Sequence, residues 1–252
     1  MTDAAELPPP PGPPASPPPF PGSSRALRER VVVLTLLGGL LTLAIAKGVL
    51  DRDAWITLAV IVPSIILHEI SHGAVAYLFG DDTAKRAGRL TLNPLAHIDP
   101  MGTLIMPTLL ALSHLTPFGF AKPVPVNVSQ LRSPRNHGLL VSLAGPLTNY
   151  TIALIAAGIW RVVHPTSPIV GEFVIELGVL NAFLGTFNLI PVPPLDGSGI
   201  LERALPKAWW PSYLQFRRYS MFLVLIVVFG FHGIIDAVVN PVFHVWARVA
   251  GL

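Results

Sequence analysis

The chain has 252 residues, of which 52% are hydrophobic and only 12% charged, and its mean hydropathy is +0.60; soluble domains carry about 25% charged residues. That excludes an ordinary soluble domain and points to a membrane protein. With no cysteine the chain has neither disulfides nor thiolate metal sites, and a net charge of +3 gives no sign of nucleic-acid binding.

Residues 1 to 24 read as a disordered, proline-rich tail that stays on the mature protein, since ten prolines fall before residue 24 and neither a basic nor an apolar leader region precedes them. The tail is either a solvated leader or a docking site for a proline-reading partner. Arg25, Arg28 and Arg30 then place the N-terminus in the cytoplasm, ahead of a span from Val31 to about Leu50. After an outer turn at Asp51, Arg52 and Asp53, a second span runs from about residue 54 to 80. Beyond it, Lys85, Arg86 and Arg89 mark the cytoplasmic side again.

This second span carries His68-Glu69-Ile70-Ser71-His72-Gly73. On a helix, positions i and i+4 share a face, so both imidazoles can bind one metal ion while Glu69 acts on a water beside it. At 1.5 Å per residue His68 lies about 20 Å from the outer end of the span, near mid-membrane. Ionisable groups at that depth mark function.

Between residues 81 and 137 the pattern weakens. Gly88 to Asn93 alternates polar and apolar residues like a short strand, and Arg89 to Asn93 is expected to receive substrate by strand addition. The run 101 to 116 is short for a crossing and contains Pro107, so it reads as re-entrant or as one extra span. Residues 119 to 127, with Pro123 and Pro125, read as extended loop. Three further spans follow, at about 138 to 163 with Ala144-Gly145-Pro146 and Asn149, at about 169 to 190, and at Met221 to Val239. The expected fold is thus all-α and polytopic, with five or six transmembrane helices, a re-entrant or β-like segment between the first two core helices, and a single membrane domain over 25–252.

Two histidines do not close a hydrolytic zinc site, which takes three protein ligands and leaves a position for water. Asp196, where the chain breaks after the span 169–190, is the leading third ligand; His97, Asp99, His114 and His137 remain open, and His232 with Asp236 forms a separate i,i+4 pair.

The HEISHG motif, Ala144-Gly145-Pro146, and Phe187 to Gly197 (FNLIPVPPLDG) together resemble the site-2 protease family of intramembrane zinc metalloproteases. The resemblance covers about residues 31 to 240 and is to compact bacterial members without PDZ or CBS domains. It implies one Zn2+ per chain on His68, His72 and Asp196, Glu69 as catalytic acid/base, and Asn188 beside the substrate. It further implies a multi-pass protein of the bacterial plasma membrane acting on single-span membrane proteins. Ser198 departs mildly from the glycine that often follows Asp-Gly. A membrane metal-ion transporter and a catalytically idle scaffold of the same fold are the alternatives.

Overall fold

The computed structural model describes residues 51 to 99 and 121 to 252, apart from Phe231 and a few side chains, with isolated positions between 31 and 42 and at 102 and 106. The proline-rich tail, most of the span expected at 31 to 50, most of the run 101 to 116, His114, and the side chains of His232 and Asp236 lie outside the described residues. Residues 1–43 and 44–252 form separate units, and the long helices belong to the second.

Helix α1 (Arg52–Leu78) begins where the Asp51 carboxylate accepts the Ala54 N–H at 2.8 Å, an N-cap that satisfies one orphan donor. Arg52 and Asp53 are therefore the first turn of the helix and no separate loop. Pro63 lies inside α1 without ending it. The chain leaves α1 through Gly80, at φ +110, a conformation that side chains with a β-carbon resist. A four-residue helix, α2 (Thr83–Arg86), follows.

Residues 88 to 99 correct the expectation of a β-like segment. No strand occurs among the described residues; 90 to 92 are bends, and Pro94–Ala96 is a 3-10 turn capped by the Asn93 side chain. Arg89 is the physical reason. Its guanidinium is buried, bonding the carbonyls of Ala96, Lys122 (2.6 Å) and Pro123 (3.2 Å), which folds this stretch against residues 121 to 127 and away from a ladder. Arg89 is thus an internal staple, where the sequence suggested a surface charge.

Helix α3 (Pro134–Val163) and helix α4 (Pro168–Asn188) each begin with proline, whose missing N–H costs nothing there. Helix α5 (Ser198–Ala204), a 3-10 turn at Lys207–Trp209, helix α6 (Trp210–Gly230) and helix α7 (His232–Ala250) complete the chain. Helical structure extends beyond the last expected span, Met221 to Val239, at both ends: Arg217 and Arg218 lie inside α6, and α7 runs on to Ala250.

Helix α3 packs most extensively on α4 and α1. The packing uses small residues, Ala153, Ala157 and Ala182, which let backbones approach closely. Trp246 of α7 covers Gly178 and donates its indole N–H to the Ala153 carbonyl at 2.8 Å. Large apolar side chains point outward, Leu147 at 59% and Val162 at 80% exposure. Helices α1, α3 and α4 are long and apolar enough to cross a membrane, which suits a polytopic membrane protein whose outer surface meets lipid.

Candidate metal centre

The i,i+4 spacing on α1 brings the two imidazoles together as expected, with Nε2 of His68 and Nε2 of His72 3.1 Å apart. The turn after α4 supplies the third group: Asp196 Oδ2 lies 3.0 Å from His68 Nε2 and Asp196 Oδ1 lies 3.4 Å from His72 Nε2. Gly197 makes this turn possible. Its N–H donates to the Asn188 carbonyl at 2.6 Å, and a β-carbon there would stand 2.1 Å from the Leu189 carbonyl oxygen.

Each ring is held from behind. His72 Nδ1 donates to the Val141 carbonyl at 2.6 Å and His68 Nδ1 faces the Asn149 side-chain oxygen. With Nδ1 engaged as donor, each Nε2 presents a lone pair to the other and to the carboxylate. Asp196 Oδ2 is buried without a hydrogen bond. Two bare nitrogens and an anionic oxygen at these distances form a set of acceptors that only a cation satisfies. Among the described residues this is the one cluster of His, Asp or Glu that could hold a metal.

The Peptidase family M50 model matches residues 166–231, a stretch that contains Asn188 and Asp196. The zinc metalloprotease YwhC of Bacillus subtilis, as its name describes it, is 40% identical over 177 residues, 67% of this chain and 77% of its own length. The chain belongs to peptidase family M50. Rip2 of Mycolicibacterium smegmatis, also named as a zinc metalloprotease, is 31% identical over 66% of this chain and 63% of its own. Zinc metalloprotease MJ0392 of Methanocaldococcus jannaschii is 26% identical over 60% of this chain and 34% of its own. No solved structure matches the chain significantly.

This M50 peptidase is a zinc metalloprotease, and its donor set fits the ion. Tetrahedral zinc with bonds of 2.0 to 2.1 Å separates its ligand atoms by about 3.3 Å, close to the 3.0 to 3.4 Å found between the nitrogens and the Asp196 oxygens. Space is reserved as well. Gly145 of α3 lies against both rings, and a β-carbon on it would stand 2.5 Å from His68 Nε2.

Half-buried Glu69 accepts the Val124 N–H at 2.7 Å through Oε2. Gly73 allows that contact, since a β-carbon there would meet Leu90, Val124 and Ala84 at 2.6 to 3.0 Å. Three of the alternative third ligands have partners of their own. His97 Nε2 bonds the Thr91 carbonyl, Asp99 accepts the Gly102 N–H, and His137 stacks on Phe79 while accepting the Ser133 N–H. Asn188 has its amide engaged within α4: its Nδ2 donates to the Leu184 carbonyl at 3.0 Å. The Ser198 departure is harmless to packing, because the close approach falls at Gly199, where a β-carbon would meet Ser142 Oγ at 2.3 Å.

Sequence reading passed over the supports: the Val141 carbonyl, the Val124 N–H, the Gly145 vacancy and the carbonyl-bonding role of Arg89. Asn149 did carry a signal, since an amide inside an apolar helix must find a partner.

Proposed function

We propose that this M50 peptidase hydrolyses peptide bonds within or beside the transmembrane segments of single-span membrane proteins, with zinc held by His68, His72 and Asp196 and with Glu69 as acid/base. The observation that carries the reading is where the donor cluster stands. His68 is about 24 Å along α1 from Arg52 and about 15 Å from Leu78, on a helix long enough to span a membrane and enclosed by two others of that kind. We place the protein as multi-pass in a bacterial plasma membrane with a cytoplasmic N-terminus, on the arginines before residue 31.

When bound, zinc lowers the pKa of a coordinated water and acts as a Lewis acid. Glu69 is held at Oε2 by Val124, and Oε1 has no partner among the described residues. That oxygen can take the proton of the attacking water and return it to the leaving amine as the C–N bond breaks. Asn188 can steady the substrate carbonyl once its amide releases Leu184. A substrate peptide must pass the segment Lys122 to Val126, whose residue 124 touches the base. In a helical substrate each interior carbonyl is already bonded at i to i+4, so helix-breaking residues near the cut should favour cleavage.

Glu69→Gln tests the reading against membrane metal transport. A protease loses hydrolysis with its zinc in place, and substrate spans accumulate uncleaved in the membrane. A variant that still cleaves would overturn the assignment of the base.

A further inference from the structure

A line of buried polar groups runs from His68 through three helices and ends on a backbone carbonyl. His68 Nδ1 meets Asn149 Oδ1 on α3; Asn149 Nδ2 donates to Asn181 Oδ1 on α4 at 2.8 Å. Asn181 Nδ2 donates to Ser64 Oγ on α1 and to the Leu177 carbonyl, each at 2.9 Å, and Ser64 Oγ donates to the Val60 carbonyl at 2.8 Å. Asn149 and Asn181 are 0% exposed and Ser64 is 2% exposed.

The direction of this line follows from its far end and needs no assumption about how the amides are turned. The Val60 carbonyl only accepts, so the Ser64 hydroxyl spends its hydrogen there and must accept from Asn181. The group on Asn181 that faces Ser64 and the Leu177 carbonyl is therefore the NH2. Its oxygen is left for Asn149, which must present its own NH2 to it and its oxygen to His68. His68 then has to carry its hydrogen on Nδ1, leaving Nε2 bare.

We propose that Asn149, Asn181 and Ser64 are positioning residues that lock His68 in the Nδ1–H tautomer, so that its Nε2 always offers a lone pair to the metal. The proposal rests on His68 being a zinc ligand. Partners behind a metal-bound histidine fix its tautomer and orientation, and losing them weakens metal binding roughly 10- to 100-fold. In water a histidine exchanges tautomers freely; in this apolar core the line leaves one. Without Asn181, Asn149 can turn over and present NH2 to Nδ1, which favours the wrong tautomer.

The test measures zinc affinity by chelator competition on the full chain in detergent, for Asn149→Leu, Asn149→Asp, Asn181→Leu, Asn181→Asp and His68→Ala. Aspartate keeps the accepting oxygen at either position but buries a carboxylate, so a packing role ranks Leu above Asp, whereas tautomer control ranks Asp above Leu. The expected result is a loss of roughly 10- to 100-fold in Asn149→Leu, a smaller loss in Asn181→Leu, and recovery in both Asp variants. If Asn149→Leu does not fold, the Asn181 pair gives the same ranking. Wild-type affinity in the Leu variants, or Leu at or above Asp, overturns the proposal. Wild-type affinity in His68→Ala overturns the ligand reading beneath it.

Discussion

Gly145 and His72 stand so close that a β-carbon on the glycine would lie 2.4 Å from the imidazole Nε2. The missing side chain on α3 is thus the space in front of the donor cluster. Gly145→Ala should fold, because alanine favours helix over glycine by about 1 kcal/mol, yet it should hold zinc at least roughly tenfold more weakly. Zinc content together with helical circular dichroism reads both effects. Undiminished zinc in a folded variant would mean that the ion sits elsewhere.

Glu69 touches the chain outside α1 through the Val124 N–H. Glu69→Gln should lower turnover about 10²- to 10⁴-fold while zinc stoichiometry stays at the wild-type value. Parallel loss of zinc would show that the carboxylate belongs to the donor set.

Arg89 holds the Lys122 and Pro123 carbonyls next to Val124. Arg89→Leu frees those carbonyls and lets the amide drift from Glu69, and a displacement of about 1 Å near a reacting group can cost as much as 100-fold. The expected outcome is a fall in kcat with zinc affinity unchanged. A variant with normal kcat would separate the staple from catalysis.

The motif on α1 was legible because helical periodicity alone places His68 and His72 on one face, and Asp196 was legible because the prolines after α4 force the chain to break beside it. Three long apolar helices were equally plain. What the sequence hid depends on contacts distant in the chain. Arg89 looks like a surface charge until the carbonyls of residues 96, 122 and 123 are known to surround it. The alternation from Gly88 to Asn93 mimics a strand, yet a strand needs a partner and this stretch has none among the described residues.

Asp81 is fully buried just beyond α1, accepting the Thr83 N–H at 3.0 Å and the Asn127 N–H at 2.6 Å. Burial alone would raise its pKa, but the bonds from Thr83 and Asn127 outweigh it and hold the carboxyl below its ordinary 3.8. A depressed carboxylate stabilises the fold at pH above its unfolded pKa and loses that contribution as pH falls through the folded one. The difference in melting temperature between wild type and Asp81→Asn should be constant from about pH 7 to 5 and shrink below about pH 4. A pH-independent difference would contradict the assignment.

Trp246 occupies the surface that Gly178 leaves open, where a β-carbon would stand 2.0 Å from the indole. Gly178→Val should expel the ring from α4 and lower the melting temperature, and Trp246→Ala should cost about 3 kcal/mol. Combining them should cost little beyond either alone, since both break one contact. Additive losses in the double variant would point to two separate packing sites.

The central claim is that His68, His72 and Asp196 together hold one zinc. Zinc per chain in purified Asp196→Ala, measured beside wild type and Glu69→Gln, tests it most directly. One zinc is expected in wild type and in Glu69→Gln, with a large loss in Asp196→Ala; full zinc and full activity in Asp196→Ala would mean that the third ligand lies elsewhere.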